Sequence, residues 1–332
     1  MRLPAPRGPV TAALFEELTA HPHDLPARLA SPFTGDGPAL HDDDLQLALF
    51  VCYELHYQGF TDVDDGWEWN PSLLGLRQGA ERRFERHLRA LVPRPAPVTD
   101  VPGELARLAT ADEGPSLARF LQREATLEQF REFVIHRSIY HLKEADPHTW
   151  GIPRLSGPSK AALVEIQADE YGGGRLELMH AELFRGAMRG LELDDTYGAY
   201  LDAVPAITLA VNNLMSFLGL HRRRRGALLG HLAAFEMTSS LPNRRYSSGL
   251  ARLGADRHTR RFYDEHVQAD AVHEQLAAHD LCGGLVAEHP ELAADVLFGA
   301  SCGLALDRLF TEHLMGCWGR SATSLNAVAA LR

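Results

Sequence analysis

The sequence predicts an all-α bundle. Ala and Leu are abundant while Val and Ile are sparse, and apolar residues recur at helical spacing. Strand-like alternation bounded by turns is hard to find. The segments between the helical stretches are short, as in helical bundles.

Residues 1–40 are rich in proline and glycine, with one helix expected near 10–20. Asp42 to Tyr57 and Pro71 to about Leu91 read as the next two helices. The run Pro93 to Val98 breaks the chain, so a boundary is placed near 93–100, with residues 1–95 as an N-terminal helical extension and 96–332 as the main domain. Thr126 and Gln129 form a capping-box pattern that opens a helix running to Glu144 or Ala145. Asp146-Pro147 is expected to stop it, because the residue before proline resists helical geometry. Pro158 suits the first turn of a long helix reaching about Arg189. Further helices are expected over 195–220, 224–240, 257–280 and 290–316.

At 332 residues, 45% hydrophobic and 23% charged, the composition is that of a globular protein able to bury a sizeable core. The formal net charge of −11 argues against broad affinity for nucleic acid or anionic lipid. His221 and Arg222 to Arg225 form the one dense basic run and read as a solvated helix end. Cys52, Cys282, Cys302 and Cys317 are widely spaced and form no zinc-type pair, as expected of reduced thiols in a cytoplasm. The proline-broken start lacks the apolar core of a signal peptide, and no uncharged apolar run reaches about 18 residues. A cytoplasmic protein with no membrane or nucleic-acid partner is expected; a homodimer is left open.

The chemistry concentrates in three places. His266, Asp270 and His273 fall within about 60° of one another around a helix axis. Imidazole with carboxylate suits a redox-active first-row metal, whereas the alternative is a polar face beside Asp264, Glu265, Gln268 and Glu274. Glu177 and His180 share a face if helical, the spacing by which bundles present a carboxylate and an imidazole to a metal pair. Glu144 lies on one stripe with Phe133, Arg137 and Tyr140 at the end of its helix, where the dipole disfavours an anion. A metal or Arg137 would supply the cation it needs. Glu170 precedes Glu177 by two turns, and between them Tyr171 is followed by Gly172, Gly173 and Gly174. These glycines suggest either room for a small ligand or a tight helix crossing.

Taken together, Lys143 to His148, Glu165 to Gly174, Glu177 with His180, and His266 to His273 resemble the heme-oxygenase-like diiron oxidases and oxygenases, the iron-containing redox enzymes. The resemblance spans roughly residues 100–320. It implies a heme-oxygenase-like helical bundle with Glu144, Glu177, His180, His266, Asp270 and His273 as ligands of two iron ions cycling between Fe(II) and Fe(III). Glu170 matches an additional carboxylate of some oxygenase members. Dioxygen would be the co-substrate, and Glu170, Tyr171 and Arg137 are the residues expected to act on the substrate. Arg137 or Arg222 to Arg225 would anchor a substrate carboxylate.

The resemblance implies O2-dependent oxidation of a small amino-acid-like metabolite by desaturation, C–C cleavage, cyclisation or N-oxygenation in specialised metabolism. Fatty-acid oxidative decarboxylation on the same fold is the nearest alternative. Heme bound through one histidine leaves the paired acidic residues without a role, and a ferritin-like site leaves His266 without one. A non-catalytic helical-bundle interaction protein is the alternative from another class.

Overall fold

Several helix starts are set by capping side chains or by prolines at first-turn positions. The computed structural model describes the chain except Asp36, Arg94, Ala96, Pro97, Asp112, Glu113 and residues 327–332, and except the side chains of 268–272. Helices α1 (Pro9–Leu18), α2 (Asp43–Glu54) and α3 (Pro71–Leu91) come first. Asp42 caps α2 by accepting from the Leu45 amide, and Asn70 caps α3 by accepting from Ser72 and Leu73. Short helices α4 (Val101–Thr110) and α5 (Leu117–Arg123) follow. The boundary expected at 93–100 falls partly on residues outside the described ones.

Helix α6 (Leu127–His141) opens on the capping box of Thr126 and Gln129, as the sequence predicts. It ends at His141, earlier than expected. Asp146-Pro147 does not stop a helix but opens the short α7 (Asp146–Thr149), because proline suits a first turn. Glu144 therefore sits in the bend between the two helices, where Ala145 takes a left-handed φ of 74°.

The single helix expected from Pro158 to Arg189 is instead two, α8 (Gly157–Glu170) and α9 (His180–Gly190). Gly172, Gly173 and Gly174 have φ of 63°, 59° and 78°, and this left-handed run reverses the chain. Two short 3₁₀ turns, 172–174 and 176–178, fill the interval. A side chain at Gly172 would meet the Leu178 carbonyl carbon at 2.5 Å, so the loop closes on its bare backbone.

Helix α10 (Ala206–Gly219) is buried over its whole length, which suits its mostly apolar sequence, and its polar residues Thr208, Asn212, Asn213 and Ser216 are hydrogen-bonded. Helix α11 (Arg225–Arg252) runs past the expected end and through Pro242, packing against α5 and the later helices α12 (Arg257–Gln275) and α14 (Ala293–Gly319). Between these last two, residues 276–283 form a π-helix that runs into α13 (Gly284–Glu288). No strand occurs among the described residues, and the fold is all-α. No helix among them is long and apolar enough to cross a membrane.

The first helices are built into the main core. Leu14, Leu49, Trp67 and Phe84 are buried in the same apolar cluster as Phe133, Phe217 and Phe310. Phe84 meets Phe217 edge to face at 5.8 Å between centroids. Lys143 pairs with Glu54 of α2 at 2.7 Å, both buried, and the Tyr197 hydroxyl donates to Glu54 at 2.7 Å.

Several core histidines are held neutral. Nε2 of His148 stands 3.1 Å from Nδ1 of His231, so one imidazole donates to the other. Burial drives His148 down to about 4 and His231 well below the usual range. His136, between Thr208 and Ser324, is depressed for the same reason.

Two outcomes follow. Gly172→Ala should destabilise by about 2–4 kcal/mol, whereas Gly173→Ala, with open space around it, should cost only about 1–2 kcal/mol. Denaturant midpoints of the pair test this, and equal losses would contradict the close approach at Gly172. Second, His136, His148 and His231 have folded pKa values below their unfolded value near 6.5. The unfolded chain thus binds more protons below about pH 6.5, so their contribution is present above that pH and lost as pH falls toward 4. Urea unfolding of chelator-treated protein should lose at least about 1.4 kcal/mol between pH 6 and 5, and a flat profile would count against neutral burial.

Candidate metal centre

Glu144 is presented by the bend after α6. His141, one turn earlier, donates from Nδ1 to Glu144 Oε1 at 2.8 Å, and Gln167 of α8 donates to the Ala145 carbonyl at 2.8 Å, fixing the bend from the other side. Glu170 ends α8 and His180 begins α9, so the glycine reversal brings them together with Nδ1 and Oε2 only 2.9 Å apart. That contact is not aligned as a hydrogen bond, and His180 Nδ1 is a buried atom without a hydrogen-bond partner.

His266 comes from α12. Its Nδ1 lies 2.8 Å from the Phe262 carbonyl, which can only accept, so Nδ1 carries the proton and Nε2 presents a lone pair. That Nε2 is 3.7 Å from Glu144 Oε1, and the His180 and His266 rings stand 4.4 Å apart. Glu144, Glu170, His180 and His266 each offer a ligand atom, all within 4.8 Å of one another.

A second group shares one member with the first. Glu170, Glu236 of α11 and His273 of α12 also offer atoms within 4.8 Å of one another. His273 is oriented by Asp169, 3.0 Å from its Nε2, which leaves Nδ1 facing Glu236 Oε2 at 3.4 Å without a hydrogen bond. Glu170 belongs to both groups and therefore stands between them.

The charges fit these positions. Burial opposes ionisation of Glu144, but the His141 and His266 imidazoles outweigh it and hold the carboxyl well below the usual range. Burial likewise opposes charge on His180 and His273, but Glu170 raises the first, and Glu236, with Asp169, pushes the second up to about 9. Glu144 Oε2, His180 Nδ1 and His273 Nδ1 are all buried without hydrogen-bond partners. These inward-facing atoms have no hydrogen-bond partner, and a cation that displaces the protons favoured on His180 and His273 would satisfy them. The donor set of carboxylates and imidazoles without thiolate fits iron and does not suit magnesium or calcium, which prefer oxygen alone.

Of the residues singled out in the sequence, Glu144, Glu170, His180, His266 and His273 are brought together. Asp270 lies in α12 between the two histidines, but its side chain is outside the described residues. Glu177 is not brought to either group: it is exposed on the 3₁₀ turn 176–178, because the helix expected to carry it is broken. Tyr171 turns away, donating to Asp146 at 2.7 Å and meeting the Thr149 hydroxyl at 2.9 Å. Within the basic run, Arg224 is buried against Glu85 and the Phe217 ring.

Sequence reading missed His141, Asp169 and Glu236. Glu236 carried a usable signal, a lone acid closing the largely apolar run Gly226 to Phe235. Asp169 and His141 carried none, since their roles depend on contacts between helices.

A cavity of about 720 Å³ opens beside the centre. Glu144, Glu170, Glu236 and His266 line one part of it, and Phe133, Arg137, Tyr246, Tyr263 and Asp307 line another. It is large enough for a small organic molecule.

Residues 131–308 match the family model described as iron-containing redox enzyme, more than half of the chain. The match contains every residue of both ligand groups. No curated protein matches the chain. With its ligand groups inside the matched region and an all-α fold around them, the chain belongs to the iron-containing redox enzyme family.

Proposed function

We propose that this protein is a non-heme diiron enzyme that uses dioxygen to oxidise a small amino-acid-like metabolite. The observation that carries the reading is Glu170, which is shared by the two ligand groups as a carboxylate bridging two ions would be. One ion would be held by Glu144, His180 and His266, the other by Glu236 and His273, with Glu170 between them. Asp270 is the further ligand that the family resemblance implies. Iron bound there would supply the electrons that reduce dioxygen.

The chain's own residues do the positioning. Phe262 fixes the tautomer of His266, Asp169 that of His273, and His141 steadies Glu144. Protons on His180 and His273 in the metal-free protein would leave when a cation binds, so affinity should rise with pH up to about 9 at His273. The aromatic part of the cavity would hold the substrate beside the centre.

Iron stoichiometry after anaerobic Fe(II) loading tests the assignment. Wild type should bind nearly two ions per chain and change its visible absorption when oxygen is added. His266→Ala and Glu236→Gln should each bind about one ion or fewer, and Glu177→Gln should match wild type. Equally low iron in wild type and His266→Ala would remove the enzyme reading. Full loading of Glu236→Gln would remove Glu236 from the ligand set.

A further inference from the structure

Away from the ligand groups, the cavity wall carries a half-used ion pair. Arg137 of α6 donates from Nη2 to Oδ1 of Asp307 on α14 at 2.7 Å, and both residues line the cavity. Phe133 and Phe310 flank the guanidinium, with ring centroids 5.6 and 4.6 Å from its central carbon. A guanidinium has several N–H donors in a fixed fork, and Arg–carboxylate pairs frequently close with two parallel bonds. This pair makes one, and the Asp307 side chain is 45% exposed, so its free oxygen is open to an entering ligand. Among the described residues nothing else accepts from Arg137, and Asp307 Oδ2 receives no bond.

A third group lines the same cavity. The Tyr263 side chain is 2% exposed and lines the cavity, yet its hydroxyl has no hydrogen-bond partner. A buried orphan hydroxyl is costly unless something completes it. The wall thus offers open donors on a cation, an open oxygen on an anion, and an unsatisfied hydroxyl.

Charge balance selects the ligand. A simple carboxylate would find Arg137 already neutralised by Asp307, and a simple amine would find Asp307 neutralised by Arg137. A molecule with both charges on neighbouring atoms can meet both open halves and leave the wall's net charge unchanged. We infer that Arg137, Asp307 and Tyr263 form a head-group clamp for an α-amino-acid zwitterion. Its carboxylate accepts from Arg137 and the Tyr263 hydroxyl, and its ammonium donates to Asp307. The side chain then extends toward Glu144, which lies seven residues beyond Arg137 and lines the same cavity. The inference rests on the proposed oxidation site for its purpose, but its test is read without iron.

Calorimetric titration of the metal-free full-length protein with L-norleucine, hexanoate and pentylamine separates the cases. The first carries both charges, and the others carry one each on a similar chain. Norleucine should bind at least about tenfold more tightly than either. Asp307→Asn should weaken norleucine by about tenfold and strengthen hexanoate, because Arg137 is then unopposed. Arg137→Gln should weaken norleucine and strengthen pentylamine, and Tyr263→Phe should weaken norleucine severalfold. A merely structural pair would give no such reciprocal gains, and losses against all three probes without a gain would mark it as one. The clamp is overturned if wild type binds hexanoate as tightly as norleucine, or binds none of the three at millimolar concentration. Iron stoichiometry on the same preparations reports on the metal centre independently, so either proposal can fail alone.

Discussion

Three carboxylates gathered in the interior of a helical bundle repel one another and resist desolvation, and much of this architecture answers that problem. Glu144, Glu170 and Glu236 arrive from three different helices or bends, and each faces an imidazole rather than water. Imidazoles offset the charge only in part. The orphaned atoms at Glu144, His180 and His273 mark where a cation completes the balance. The second line of contacts has a related purpose: His141, Asp169 and the Phe262 carbonyl fix which oxygen or nitrogen points inward.

The N-terminal helices support this arrangement from behind. Lys143, adjacent to Glu144, sends its ammonium away from the centre to Glu54 of α2, where the Phe50 and Tyr57 rings lie within 5.0 and 4.3 Å of it. Removing one partner of such a buried pair costs about 3–5 kcal/mol, because the other charge is left uncompensated. The bend that presents Glu144 is therefore tied to a part of the chain outside the family match.

What the sequence revealed depended on whether a residue's partners lie on its own helix. His266 and His273 could be paired from spacing alone, because one helix fixes their relative direction. The capping box at Thr126 and Gln129 marked a true helix start because capping is local. Glu177 is placed differently for the converse reason: it lies on a 3₁₀ turn, and the extended Met179 separates it from the helix that His180 opens, so helical spacing between them does not apply. His180 instead lies 2.9 Å from Glu170, across the glycine reversal. Glu236 stood out only as a lone acid closing an apolar run; that it meets His273 depended on how α11 packs against α12.

The glycine reversal also affects how such a site diverges over time. His266 and His273 are locked to a fixed interval, since inserting one residue between them would rotate one imidazole by about 100° away from the other. Glu170 and His180 are joined by a folded-back loop, so their separation in sequence answers to loop closure rather than to helical phase. Insertions can accumulate there while both side chains keep their places, provided the bare backbone at Gly172 still admits the returning chain. A motif that recognises distant members of this architecture should hold the histidine interval fixed and let the interval between the glutamate and the first histidine vary.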